Sequence, residues 1–272
     1  APKLLETTAP DEVAPLVREA LAGGAAAVVG VGGDGTLQAI AAVLAGTDVP
    51  LGIVPAGTGN QVAHALDIPR SPAAAIDTLK DAEPRAIDLG EVTFRSAEGV
   101  HTSVFIIGCG AGFDAELMAT TSASLKRRLG TAAYFVQGAR LVLRASATPC
   151  RVTVDERVFE TPATTALIGN MGHLIPGCLG LRVPLDPTDG LLDLILVDAG
   201  GLRRGVRNTL RTLVRTDLGG GTGDGSVRLR GQRISLEPQA PLPVEIDGDH
   251  VGTGSLEAHV RPGALRVLLP AA

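Results

Sequence analysis

Tryptophan is absent from this 272-residue chain, tyrosine occurs once and phenylalanine five times, so aromatics make up 2% of it. An aromatic cage or a base-stacking surface is therefore nearly excluded, and Ala, Val and Leu must fill the core. A basic excess is missing too: 24 Lys and Arg face 29 Asp and Glu, for a formal charge of −5. Affinity for a polyanion comes from clustered cations, so no nucleic-acid partner is expected. The three cysteines, Cys109, Cys150 and Cys178, form no Cys-x-x-Cys pair. That argues against a disulfide framework or a zinc knuckle and suits a reducing compartment. The five histidines form no His-Glu-x-x-His pair. No apolar run reaches the ~18 residues of a membrane span. The opening APKLLETTAPDEV lacks the charged and apolar regions of a signal peptide. A soluble cytoplasmic protein is the expectation.

What is present is glycine and proline, 35 and 18 residues, beside 45% hydrophobic and 19% charged residues. This is globular composition with material for a sizeable core, at a length natural for two domains. Residues 10–22 place Val13, Leu16, Val17 and Leu21 at helical spacing. An apolar run at 25–31 predicts a buried strand, GGDGT (32–36) follows, and a helix closes at Gly46. The grammar then repeats: a strand over 49–55, the turn AGTGN (56–60), a helix start at 61–66 and a further helix over 71–82. Strand, glycine loop and helix in alternation predict a parallel α/β layer. Beyond residue 86 short strands separated by Gly, Pro and Asp turns predict an antiparallel, sandwich-like domain, interrupted by helices near 124–145 and 202–216. The expected division is 1–86 and 87–272.

Two glycine loops at corresponding strand ends carry the first chemical signal. Glycines let backbone N–H groups approach phosphate oxygens, and the start of the following helix adds positive potential. Asp34 inside such a loop needs a metal, a cation or a hydroxyl partner beside a phosphate. On pattern alone, GGDGT is also a tight strand-to-helix turn with a capping Asp. It is neither a Walker A loop nor the dinucleotide Gly-x-Gly-x-x-Gly pattern. Thr58 and Asn60 add a hydroxyl and an amide at the second loop, and parallel neighbours would bring both loops to one sheet edge.

GGDGTL (32–37) followed by VPAGTGNQVAHALDIP (54–69) resembles the catalytic domain of the diacylglycerol kinase and sphingosine kinase family, most of all its soluble bacterial lipid kinases. The likeness continues in order through AIDLGEV (86–92), GCGAGFDAEL (108–117), LDPTDGLLDL (185–194) and EIDGD (245–249). NAD kinases share GGDGT, but the Gly-Thr-Gly-Asn block points to the lipid branch. The resemblance implies an NAD kinase/diacylglycerol kinase-like α/β nucleotide domain with a β-rich second domain. It also implies transfer of the γ-phosphoryl group of ATP to a lipid hydroxyl, with Mg2+. Alternatives are an NAD kinase, another small-molecule kinase, or a nucleotide- or lipid-binding homologue that no longer catalyses.

By the same likeness ATP would meet Thr7, then Gly32, Gly33, Asp34, Gly35, Thr36, Leu37, Gln38 and Ala39, and then Gly57, Thr58, Gly59 and Asn60. A structural magnesium would be held by Asp186, Asp189 and the Leu191 carbonyl, oxygen ligands that suit a hard cation. Without the family, 186–193 reads as an ordinary Asp-Gly turn. The family's late Asp-Gly-Glu stands here as Asp247-Gly248-Asp249, so Asp249 takes the position of the general base, one methylene shorter, with Asp247 or Asp34 as the other candidates. The commonly acidic position after Gly-Thr-Gly-Asn is Gln61. The family's first strand, with its Asn-Pro-x-x-Gly loop, has no counterpart before the first helix in this sequence.

Three further segments carry weaker signals. GCGAGFD (108–114) is read as close backbone packing with Asp114 facing the cleft, and GGGTGDG (219–225) as a surface loop. The segment 201–216 sets Arg203, Arg207, Arg211 and Arg215 on one helical stripe. It reads as a solvated face or as a contact with an anionic leaflet, which would make the protein peripheral at the membrane. The partner expected is a lipid substrate; the sequence leaves the oligomeric state open, a homodimer among the options.

Overall fold

The computed structural model describes residues 3–96, 99–112, 147–174, 183–197 and 226–270. A single 3-10 turn (Pro10–Glu12) leads into α1 (Val13–Ala22). β1 (Val28–Gly32), α2 (Asp34–Leu44), β2 (Leu51–Pro55), α3 (Gln61–Ala65) and α4 (Pro72–Thr78) follow, the alternation the sequence predicts. On α2 the residues Leu37, Ile40 and Leu44 are buried, an i, i+3, i+7 stripe that presses the helix onto the sheet. β1 and β2 are parallel, with Gly32 opposite Pro55. Both strands therefore end level, and both glycine loops leave the same sheet edge.

Beyond α4 every described element is a strand. β3 (Ala82–Ser96), β4 (Gly99–Phe105), β5 (Gly108–Gly112), β6 (Thr148–Val154) and β7 (Arg157–Ala163) come first. β8 (Thr165–Gly169), β9 (Gly172–Leu174), β10 (Val183–Leu185) and β11 (Leu192–Val197) come next. β12 (Ser226–Gly231), β13 (Arg233–Pro238), β14 (Leu242–Ile246) and β15 (Asp249–Pro270) complete the set. Their order is β12-β11-β8-β5-β14-β15-β13-β6-β7, with β3 on β15 and β4 on β3; β9 and β10 pair separately.

The 22-residue β15 is the spine of the molecule. Its first half pairs with β14 and β13, and it runs antiparallel to β3 with a register shift between Arg261 and Leu265. Near its end Val267 pairs in parallel with Leu51 of β2, so the last strand joins the α/β layer. The division expected near residue 86 falls inside β3. The core beside the helices takes in Ile87, Leu89, Ile106, Met171, Leu265 and Val267, while a second core fills the strand-rich part. The glycines of β5 have a packing cause. A Cβ on Gly108 would stand 2.6 Å from the Ile168 carbonyl oxygen, and one on Gly112 would stand 2.2 Å from that of Thr164. The helices expected over 124–145 and 202–216, the arginine stripe, the 219–225 loop, Asp114 and Cys178 lie outside the described residues.

Candidate active site

Where β1 and β2 end, the two glycine loops touch backbone to backbone. A Cβ on Gly57 would stand 2.5 Å from Gly33 Cα, closer than any real contact allows. Asn60, in the left-handed region at φ 49°, closes the second loop on itself. Its Oδ1 accepts from the Gly57 N–H at 2.8 Å and its Nδ2 donates to the Gly57 carbonyl at 2.8 Å. Asp34 opens α2 and its Oδ1 accepts from the Val62 N–H at 3.0 Å, stitching the start of α2 to the start of α3. The first intrahelical bond of α2 runs from the Leu37 N–H to the Gly33 carbonyl. The N–H groups of Asp34, Gly35 and Thr36 precede it and lack intrahelical acceptors, and the positive end of the helix lies there. Thr58 is exposed on the neighbouring loop. The start of α2 and the two touching loops thus form one joint at the sheet edge, closed to any side chain at Gly57.

The acidic turn arrives from the other side. Asp247 and Gly248 both have positive φ, 47° and 89°, which makes the Asp-Gly pair between β14 and β15 a tight two-residue hairpin turn. The turn projects Asp249, whose Oδ2 lies 3.9 Å from the position of a Cβ on Gly35. Asp249 is exposed and faces the first turn of α2. Asp247 is differently placed. Its Oδ2 accepts from the Ile106 N–H at 2.9 Å, and its Oδ1 accepts from the Ile107 and Gly108 N–H groups at 2.9 and 3.0 Å. Burial pushes its carboxyl up to about 6, against the pull of those three donors and with some help from the charge of Asp34. Glu245, also buried, accepts from the Gly248 N–H at 2.7 Å and so fixes the turn from below. The Cys109 thiol beneath is pushed well above its ordinary value by burial first and by the charges of Glu245 and Asp247 second. Asp34, Glu245, Asp247 and Asp249 make this region rich in acidic side chains.

A cleft of about 290 Å³ runs beside Asp249, lined by Gln38, Phe94, His101, Ser103, Ile246 and Val251 among others. Gln38 donates to the Val104 carbonyl at 2.9 Å, tying α2 to β4 across this cleft. A larger hollow, about 420 Å³, opens among Asp155, Arg233 and His259, and none of the expected site residues lines it. Of the expected nucleotide contacts, Leu37 has its side chain in the core and Ala39 packs against it. Thr7 is exposed ahead of the 3-10 turn.

The loop expected to hold a structural magnesium joins β10 to β11. Asp186 Oδ1 accepts from the Thr188 N–H and hydroxyl at 2.9 and 2.6 Å. Asp189 Oδ1 accepts from the Leu191 N–H at 3.0 Å, and Arg230 Nη2 donates to Asp189 Oδ2. Both oxygens of Asp189 are thus engaged, one of them by the guanidinium of Arg230, a cation standing at a carboxylate the expected ion would use. Three residues to which the sequence assigned no role order the region. They are Glu245, Arg230 and Asp88, whose Oδ2 accepts from the Gly190 N–H at 2.7 Å and whose Oδ1 accepts from the Gly263 N–H at 2.8 Å. Asp88 and Glu245 lie in AIDLG and EIDGD, so their neighbours were legible but their hydrogen bonds were not. Arg230 had a weak signal, the alternation Arg228-Leu-Arg230 on one strand face.

Residues 2–92 match the diacylglycerol kinase catalytic domain, and residues 108–269 match the YegS C-terminal NAD kinase beta sandwich-like domain. A Pseudomonas aeruginosa protein named "Probable lipid kinase YegS-like" is 37% identical over 265 residues, covering 94% of this chain and 80% of that one. Its Pseudomonas fluorescens namesake is 36% identical with 94% and 81% covered. Among solved structures, a diacylglycerol kinase from Bacillus anthracis superposes with a TM-score of 0.70 at 18% identity, covering 97% of this chain and 84% of the other. At that identity the likeness speaks for the fold. Among the described residues no helix is long and apolar enough to cross a membrane.

Proposed function

The chain belongs to the YegS-like lipid kinases, with a diacylglycerol kinase-type catalytic domain, and from that membership we propose that it moves the γ-phosphoryl group of ATP to a lipid hydroxyl. The observation that carries this reading is the approach of Asp249 to Gly35, which sets a free carboxylate against a helix start flanked by two touching glycine loops. Phosphoryl transfer asks a protein mainly for positioning and charge neutralisation. The N–H groups of Asp34, Gly35 and Thr36 and the loop 56–60 supply the first requirement toward phosphate oxygens. Asp34 is the carboxylate that would face a nucleotide-bound Mg2+, which usually keeps one or two protein carboxylates beside phosphates and water. When bound, ATP with Mg2+ supplies the transferable group and the cation that offsets the acidic turn.

Asp249 accepts the proton of the acceptor hydroxyl in this scheme. Such a base must come within ~2.6–3.2 Å of that oxygen, directly or through one water. Asp247 is a positioning residue: its three backbone bonds lock residues 106–108 under the turn that carries Asp249. The acceptor hydroxyl enters along the cleft between α2 and the β3–β4 hairpin. Access to a bilayer-borne acceptor belongs to the same proposal, with the arginine stripe at 203–215 as the sequence's candidate for an anionic leaflet. Turnover with ATP against diacylglycerol, a long-chain base and NAD in parallel tests the reading. Phosphorylation of a lipid alone is expected; phosphorylation of NAD alone, or ATP binding without turnover on any acceptor, would replace it with an NAD kinase or a non-catalytic binding protein.

A further inference from the structure

We propose that Arg230 takes the place of a divalent cation at the loop 186–191, so that an ion pair rather than a metal holds this loop against the sheet. β11 and β12 are antiparallel with Asp193 opposite Arg230. The two-residue period of a strand puts Arg228 on the same face as Arg230. Asp193 is 3% exposed, and a carboxylate so buried needs charged or hydrogen-bonding partners. It has two: Arg228 Nε at 2.6 Å and Arg230 Nε at 3.3 Å.

The guanidinium of Arg230 is forked, and its Nη2 reaches on to Asp189 Oδ2 inside the loop. With the Leu191 N–H on the other oxygen, each Asp189 oxygen already carries a donor, one of them a cation. Asp186 is folded back on Thr188 through two hydrogen bonds. From below, Asp88 accepts from the Gly190 N–H and donates its own N–H to the Pro187 carbonyl at 2.6 Å. Around Arg230 itself, the two carboxylates Asp189 and Asp193 meet the two guanidinium groups of Arg228 and Arg230. Arg230 thereby couples the loop to β12, and Asp88 couples it to β3.

This inference concerns a loop with none of the proposed nucleotide or acceptor contacts and is tested without nucleotide, so its failure is distinguishable from failure of the kinase reading. The melting temperature of the nucleotide-free full chain is measured with EDTA and with millimolar Mg2+, for wild type, Arg230→Gln and Arg230→Lys. Wild type should melt within ~1 °C in both conditions, because no bound ion contributes linkage. Arg230→Gln should melt lower by about 3–6 °C in EDTA, a loss reasonable for a half-exposed partner of a buried acid in a chain of this size. Added Mg2+ should restore most of that loss, since the vacated position then faces two carboxylates. Arg230→Lys should fall between the two and keeps the comparison available if the Gln variant does not fold. A wild type that loses stability in EDTA and regains it with Mg2+ would overturn the proposal. So would an Arg230→Gln variant as stable as wild type, or one that Mg2+ leaves unchanged.

Discussion

Gly57→Ala places a methyl group where the structure has the backbone of Gly33. The added Cβ would stand 2.5 Å from Gly33 Cα, 3.2 Å from its nitrogen and 3.0 Å from Asn60 Oδ1. Carbon atoms settle at about 3.5–4.0 Å, so the two loops must part by about 1 Å. Neither loop yields easily: β1 and β2 are paired through Gly32 and Pro55, and Gly33 caps α2. Gly57 is not in the left-handed region, so the cost is contact and not backbone strain. Overpacking of this kind costs about 1–3 kcal/mol. In a chain of this length that lowers the melting temperature by roughly 2–10 °C. The functional loss should be larger, because a displacement of ~1 Å at a positioning element can cost ~10²-fold in rate. Gly23→Ala is the control, since its Cβ would meet only carbonyl oxygens at 3.4 Å at an ordinary φ of −78°. Steady-state kcat/KM for ATP and thermal melting are measured on wild type and both variants. A folded Gly57→Ala enzyme with wild-type kcat/KM for ATP would refute the joint as a positioning element, whatever its melting temperature.

Asp34→Asn should lose at least ~10²-fold in turnover, while its melting temperature stays near wild type because the amide oxygen still accepts from the Val62 N–H; full turnover would remove Asp34 from the site. Asp249→Ala should lose ~10²–10⁴-fold per folded molecule, more than Asp247→Ala, and Asp249→Glu should keep activity, all read from initial rates corrected for folded fraction. The reverse ranking would reassign the base. Burial lifts the Asp247 carboxyl from 3.8 to about 6, so its contribution to stability is full below the unfolded value and is lost as pH rises through the folded one. The melting-temperature difference between wild type and Asp247→Asn should therefore move several degrees in the variant's favour between about pH 4 and pH 7. A difference that stays constant would show that the carboxyl does not titrate in that window.

The α/β layer was legible because each of its signals is local. The strand, glycine loop and helix recur twice, and the stripe Leu37, Ile40, Leu44 lies within one helix. The strand-rich part was legible in class but not in its spine. DHVGTGSLEAHVRPGALRVLLP contains Gly252, Gly254, Pro262 and Gly263, which read as breaks, yet β15 runs through all of them. The register shift between Arg261 and Leu265 absorbs Pro262 and Gly263, and pairing with β3 overrides the local signal. The boundary expected near Pro84 marks the shift from alternating helix and strand to strands alone, and Pro84 sits opposite Leu268 inside β3. At the site, the loops could be read from glycine spacing and the turn from Asp247-Gly248. The approach of Asp249 to Gly35 joins segments more than two hundred residues apart and is set by β15, so no local pattern carried it. The role of Asp247 was likewise hidden, because its three partners are backbone N–H groups, which side-chain identity does not reveal.

The most direct test follows the label. Purified chain is incubated with ATP labelled at the γ-phosphorus, Mg2+ and mixed micelles containing diacylglycerol or a long-chain base, and the products are partitioned between organic and aqueous phases. The account predicts label in an organic-soluble phosphorylated lipid, formed by wild type and lost by ~10² or more in Asp249→Ala. Label found only in aqueous products, or organic label formed equally well by Asp249→Ala, would contradict it.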